Sequence, residues 1–113
     1  MHELSIAQGI IDIVLAEMSK HNLTRVERIS LKIGELRQVL PVALSFGFEC
    51  LSKDTPLEGA DLVIESIPLK GRCTQCGHET LLKNWFESCS RCQANQMTII
   101  AGKELEIADF EGS

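Results

Sequence analysis

The sequence predicts an α+β fold: a small sheet with two helices, into which a four-cysteine domain is inserted. Three observations carry this reading. Apolar residues recur at helical spacing behind residue 5, apolar and polar residues alternate from 25 to 34, and four of the five cysteines fall in two tight pairs late in the chain. At 113 residues the chain has room for one compact domain, or one domain with a small appendage. The expected boundaries are residues 1–69 for the first domain, completed by 97–113, and 70–96 for the insertion.

The first helix is expected over about residues 5–21. Ser5-Ile6-Ala7-Gln8 fits a capping box, in which an N-cap serine and a glutamine three residues on satisfy each other's backbone donors. Ala7, Ile10, Ile11, Val14 and Met18 follow at helical spacing, with Ile6 and Ile13 widening the stripe. His21-Asn22 suits the end, because asparagine tolerates the left-handed conformation a helix terminus often needs.

From Arg25 to Gly34 the period changes to two. Ile29, Leu31 and Ile33 alternate with Arg28, Ser30 and Lys32, the pattern of a half-buried strand. Pro41 suits the first turn of a second helix, where its missing N–H costs nothing. Leu44, Phe48 and Leu51 supply the apolar stripe of that helix, and Cys50 beside them reads as a small buried hydrophobe. Gly47 opposes the helix, since glycine costs roughly 1 kcal/mol against alanine in a helix interior. Lys53-Asp54-Thr55-Pro56 is a turn and Ala60–Ile67 a strand. Two further apolar runs, Met97–Ala101 and Glu104–Phe110, flank Gly102-Lys103 and suggest a closing hairpin.

Composition excludes several function classes. Eleven basic against sixteen acidic residues give a net charge of −5, which disfavours attraction to nucleic-acid phosphates. Four Phe, one Trp and no Tyr leave few platforms for stacking on bases. No apolar run approaches the roughly 20 residues that span a bilayer, and the start has no basic segment followed by an apolar one, as a secretory signal would. A cytoplasmic protein without membrane or nucleic-acid partners is expected. No nucleophile–base pair, phosphate-binding glycine loop or open catalytic metal site stands out, so the chain does not read as an enzyme.

In a reducing compartment the cysteines call for metal rather than disulfides. Cys73, Cys76, Cys89 and Cys92 have the spacing C-x2-C-x12-C-x2-C. Two residues between thiolates let one tight turn aim both sulfurs at the same ion, and Gly77 suits the backbone that follows. Two such turns facing each other supply a tetrahedron of sulfurs, which suits Zn(II). Iron in a rubredoxin-like site takes similar ligands. Four sulfurs close the coordination shell, so the expected role is structural. Trp85, Phe86, Leu81 and Leu82 are expected to cap the core of this domain, and His78 to sit beside the site or on the surface. Lys70, Arg72, Lys83 and Arg91 against Glu79 and Glu87 give residues 70–96 a charge of +2. A four-thiolate zinc centre of about −2 offsets that, and the domain lacks a nucleic-acid footprint.

The amino terminus, Met1-His2-Glu3, offers different chemistry. The α-amine, the deprotonated amide nitrogen of His2 and the His2 imidazole can take three adjacent corners of a square. The Glu3 amide, the Glu3 carboxylate, water or a partner's donor can take the fourth. Planar nitrogen donors favour Ni(II) or Cu(II) over Zn(II). Initiator methionine is retained before a residue as bulky as histidine. Such an open site can release its ion by ligand exchange.

These features together resemble the HypA/HybF family of hydrogenase nickel-incorporation proteins. The resemblance rests on the opening MHELS, the stretch RVERISLKIGEL, FGFEC in the second helix, and the knuckles CTQCG and CSRC, in the family's order along essentially the whole chain. It implies a nickel-binding α/β domain with an inserted zinc domain, delivering Ni(II) to the large subunit of [NiFe]-hydrogenase together with a HypB-type GTPase. Self-association is compatible with it. Met1, His2 and Glu3 match the family's nickel-binding start, and Cys73, Cys76, Cys89 and Cys92 match its zinc ligands. Some relatives carry a histidine after both cysteine pairs, whereas here His78 follows the first and Gln93 the second. Zinc-ligand switching through two histidines is therefore not expected. Some relatives also bring a carboxylate to nickel from the loop after the strand, where this chain offers only Glu35. Two rivals keep their own tests. A zinc-ribbon adaptor would tolerate an amino-terminal extension, and a rubredoxin-like carrier would hold iron and be coloured.

Overall fold

The computed structural model describes residues 3–83, 88–92 and 97–113. Helix α1 spans Glu3–Lys20, β1 Val26–Gly34, α2 Pro41–Leu51, β2 Asp61–Ile67, β3 Lys70–Cys73, β4 Glu79–Leu81, β5 Met97–Ala101 and β6 Leu105–Gly112. A single 3-10 turn, Glu35–Arg37, follows β1. One sheet has the order β2-β1-β6 and the other β4-β3-β5, so the expected α+β class, two helices with small sheets, is what the chain adopts. No helix among the described residues is long and apolar enough to cross a membrane.

The chain divides into two compact units. The first contains Met1–Leu31, Val39–Glu65 and Glu106–Ser113, and the second Lys32–Gln38 and Ser66–Leu105. In the first unit α1 and α2 pack on each other. Ile6, Ala7, Ile10, Ile11, Val14 and Met18 of α1 are buried, as are Leu44 and Phe48 of α2 and Val26, Ile29 and Leu31 of β1. Burial of aliphatic side chains of this size stabilises by roughly 1.5–3 kcal/mol each, and this is the main favourable term for the unit. The end of α1 follows the expected chemistry. Asn22 is left-handed, with φ 56°, and the N–H of Leu23 reaches back to the Met18 carbonyl at 3.1 Å, the long bond of a Schellman motif.

The start of α1 differs from expectation. The helix begins at Glu3, so Ser5 lies inside the first turn, and Gln8 donates forward to Asp12 Oδ1 at 2.9 Å instead of reaching back. Ile13 is 56% exposed. At about 100° per residue it lies just beyond Ile6, outside the buried stripe. In α2 the buried face is Leu44, Gly47 and Phe48, whereas Cys50 is exposed and Leu51 is only partly covered. Two residues beyond Phe48 the helix has turned by about 200°, which carries Cys50 to the opposite face. Gly47 has a packing reason. A Cβ there would lie 3.0 Å from Leu4 Cδ2, so glycine leaves space for a side chain of α1.

The expected closing hairpin does not form. β5 pairs antiparallel with β3, while β6 lies beside β1. Gly102 has φ 105°, and the backbone at this point runs against Gly34 so closely that a Cβ on Gly34 would fall 2.0 Å from the Gly102 carbonyl carbon. Gly102 thus carries the chain from one sheet to the other, and does not turn a strand back on its neighbour. In the second unit β3 is central, flanked by β4 and β5. Gly71 sits beneath Leu82 and Met97, with Leu82 Cδ1 only 2.8 Å from where a Cβ would be. Leu82 is buried as expected, but Leu81, the last residue of β4, is 67% exposed. Trp85 and Phe86 lie outside the described residues.

Candidate metal centre

The first cysteine pair is built by the turn between β3 and β4. Cys73 closes β3, Gly77 is left-handed with φ 76°, and β4 begins at Glu79. The Cys73 N–H donates to the His78 carbonyl and the Gly77 N–H to the Cys73 carbonyl, both at 2.9 Å. Within the turn the N–H groups of Gln75 and Cys76 point at Cys73 Sγ, at 3.4 and 3.5 Å. The second pair repeats this, with the N–H groups of Arg91 and Cys92 at 3.4 and 3.5 Å from Cys89 Sγ. Ser90 Oγ donates to Thr80 Oγ1 at 3.2 Å, tying the second knuckle to β4.

The two knuckles bring all four cysteines of the C-x2-C pairs together. Their sulfurs lie within 4.8 Å of one another, with Cys73 Sγ 3.5 Å from Cys92 Sγ and Cys76 Sγ 3.7 Å from Cys89 Sγ. A tetrahedron with metal–sulfur bonds of 2.3 Å has edges of about 3.8 Å, so the cluster has the size such an ion requires. These separations far exceed the roughly 2.05 Å of a disulfide, and none of the four cysteines is in one. Cys73 and Cys89 are buried, at 1% exposure each, and Cys76 and Cys92 are exposed.

Electrostatics favour the ligating form. The Cys76 N–H is the largest influence holding the Cys73 thiol below its ordinary pKa, helped by the Gln75 N–H against the opposing effect of burial. The N–H groups of Cys92 and then Arg91 lower Cys89 to about 6, again against burial. Backbone donors aimed at sulfur stabilise the thiolate, which is the form that binds metal. Four thiolates leave no open position, so the arrangement can hold an ion but not present a water for reaction. His78 enters only through its backbone carbonyl, and among the described residues no histidine belongs to the cluster.

Sequence inspection passed over the ion cluster beside the first knuckle. The Glu79 carboxylate receives Arg72 at 2.6 Å and Lys70 at 3.1 Å, and hydrogen bonds from Arg72 and then Lys70 hold it below the usual carboxylate range. The signal was present in the register, since Arg72 stands directly across from Glu79.

Of the amino-terminal motif, Met1 and His2 lie outside the described residues. Glu3 opens α1, and its Oε2 accepts the backbone N–H of Leu40 at 3.1 Å. In the second unit the loop after β1 is held to residues 102–104. Gly34 N–H donates to the Glu104 carbonyl at 2.7 Å, Leu36 N–H to the Gly102 carbonyl at 2.9 Å, and Arg37 Nε to the Lys103 carbonyl at 2.7 Å. Glu35 opens the 3-10 turn and is exposed.

The model of the family described as hydrogenase/urease nickel incorporation, metallochaperone, HypA matches residues 1–112. Among curated proteins, the hydrogenase maturation factor HypA of Geobacter metallireducens is 42% identical over 111 residues, covering 98% of each chain. That of Desulfosudis oleivorans is 39% identical over 112 residues, covering 98% of this chain and 97% of its own. The fold is similar to the solution structure of the nickel metallochaperone HypA from Helicobacter pylori, with TM-score 0.69 and 21% identity over 99% of this chain and 97% of that one. A second solution structure, of HypA protein, gives TM-score 0.75 at 22% identity, over 100% and 97%. A four-thiol cluster of metal-binding size, this fold and a family match along nearly the whole chain agree: the protein belongs to the HypA family of hydrogenase-maturation, nickel-incorporating metallochaperones.

Proposed function

We propose that this chain binds Ni(II) at its amino terminus and delivers it to the large subunit of a [NiFe]-hydrogenase during maturation. The observation that carries the proposal is that the family match begins at residue 1, so Met1, His2 and Glu3 fall within it. The α-amine, the His2 amide nitrogen and the His2 imidazole supply three planar donors, a set that suits Ni(II). Glu3 completes the motif. The recipient is taken to be a hydrogenase because the curated relatives are hydrogenase maturation factors. Nucleotide hydrolysis, where delivery needs it, is assigned to a GTPase of the HypB type, and the chain itself to no catalysis. The cytoplasm is the compartment in which such a reduced thiol cluster and such a client would meet.

Cys73, Cys76, Cys89 and Cys92 are proposed to hold Zn(II) as a structural ion. The size of the thiol cluster and its softness support this. Bound there, zinc would cross-link the two knuckles of a unit whose described residues bury few large side chains.

The test is a Ni(II) titration of zinc-loaded protein with its native amino terminus, beside His2→Ala and a form carrying Gly-Ser before Met1. Native protein is expected to take up one equivalent, and both altered forms to lose it at unchanged zinc content. Three identical titrations would sink the amino-terminal site. Nickel affinity should also fall as pH drops through the imidazole range, near 6.5 for an unperturbed histidine. This follows because the ligating form of imidazole is neutral.

A further inference from the structure

Helix α2 begins without a cap of its own. Its N-cap residue is Leu40, extended at φ −85° and ψ 113°, and Leu40 has no side-chain cap hydrogen bond. In a capping box the side chain three residues into the helix reaches back to the N-cap N–H. Here that residue is Ala43, which has no acceptor. The acceptor comes instead from another helix: Glu3 Oε2, at the first residue of α1, takes the Leu40 N–H at 3.1 Å across 37 positions of sequence. A carboxylate at a helix N-terminus is favoured by the helix dipole as well as by the hydrogen bond.

This contact bears on the nickel site, because Glu3 directly follows the two residues proposed to carry it. One carboxylate oxygen engaged with α2 fixes residue 3. Each residue spans at most about 3.6 Å, so fixing Glu3 restricts where the Met1 amine and the His2 donors can reach. Coordination through the other carboxylate oxygen would draw electron density and orientation away from the Leu40 N–H, so the two roles compete for one side chain. We propose that Glu3 is a positioning residue of the nickel site: its carboxylate stays on the Leu40 N–H when nickel is bound, straps the amino-terminal turn to α2, and is not the fourth nickel donor. This rests on the amino-terminal nickel reading. It narrows the fourth position to the Glu3 amide, water or a partner's donor. Leu40 is suited to the arrangement, since its own side chain can neither cap the helix nor compete for the metal.

The experiment uses the full zinc-loaded chain with its native amino terminus. It combines Ni(II) titration, the visible absorption band of the bound ion and hydrogen exchange at the Leu40 amide, for the wild type, Glu3→Gln, Glu3→Ala and His2→Ala. Gln keeps an acceptor for Leu40 but is a far poorer metal donor than a carboxylate. The strap predicts that the wild-type Leu40 amide stays protected with and without nickel. Glu3→Gln should keep that protection, the wild-type band and a nickel affinity within about threefold, whereas Glu3→Ala should exchange fast at Leu40 and bind about tenfold more weakly, the worth of roughly one hydrogen bond. Loss of Leu40 protection when nickel binds the wild type would overturn the proposal. So would a Glu3→Gln variant as weak as Glu3→Ala, or a Glu3→Ala variant that binds like the wild type. Where Glu3→Ala fails to fold, judged by zinc content and helical circular dichroism, the wild-type exchange and Glu3→Gln decide. Nickel uptake undiminished in His2→Ala would remove the amino-terminal reading and the strap with it. Loss of nickel in His2→Ala beside intact binding in Glu3→Ala would remove the strap alone.

Discussion

Chemistry at single residues is concentrated on sulfur. Cys73 and Cys89 each receive two backbone N–H groups, while the exposed partners Cys76 and Cys92 complete the cluster. Cys73→Ser or Cys89→Ser is expected to drop zinc content from one equivalent towards zero, because a hydroxyl is a poor substitute for thiolate. Cys50→Ser, on the exposed face of α2, should leave zinc unchanged, and metal analysis of purified proteins reads both. Glu79 gives a pH-dependence with a definite sign. Its pKa is depressed in the folded chain by Arg72 and Lys70, so it contributes stability above its unfolded value, near 4.3. That contribution is lost as pH falls through the lower folded value. Glu79→Gln should therefore lower stability at neutral pH and flatten the acid side of the profile, the two proteins converging as pH falls through the folded value, which denaturant melts at a series of pH values would read.

At the level of elements, three glycines decide how the pieces meet. Gly34 lies against the backbone of Gly102, and backbone cannot yield as a flexible side chain can. Gly34→Ala is expected to destabilise by about 3 kcal/mol or more, the upper range for forced overpacking. A Cβ on Gly47 would meet the end of the Leu4 side chain at 3.0 Å, with Ala7 Cβ and Leu4 Cα at an ordinary 3.8 Å. There the gain in helix propensity from alanine, roughly 1 kcal/mol, opposes a small adjustment of Leu4. Gly47→Ala should lie within about 1 kcal/mol of the wild type, and chemical denaturation of the two variants side by side would expose the contrast. A Gly34→Ala protein as stable as Gly47→Ala would contradict the close approach of residues 34 and 102.

For the molecule as a whole, the two compact units draw on different sources of stability. The first has an aliphatic core with contributions from both helices and β1. Among its described residues the second buries few large side chains, chiefly Ile33, Leu69 and Leu82, and gathers its four thiols instead. Small units with little core are commonly held by metal. Removing zinc with a strong chelator is expected to open residues 66–105 to proteolysis and hydrogen exchange while the helical signal of α1 and α2 persists. Loss of the helical signal in step with zinc would mean that the ion supports both units.

By itself the sequence determined those features whose cause is local. The helical stripe of α1, the period-two strand β1, the proline start of α2 and the left-handed Asn22 all follow from propensity and spacing within a few residues. The four-cysteine cluster was legible too, because a C-x2-C turn is a local device and two of them define one site. The tertiary structure decided what depends on distant partners. Gly102 looked like a hairpin turn until the approach of Gly34 made it a crossing between sheets. Ile13 read as part of the apolar stripe and Cys50 as a small buried hydrophobe, and the rotation of each helix against its neighbour placed them outside. The carboxylate of Glu3 was one of four candidates for the fourth corner at the amino terminus, and only folding brought it to the N–H of Leu40. Local rules fix which conformation a segment prefers, whereas the burial and hydrogen bonding of a particular atom depend on what the rest of the chain brings to it.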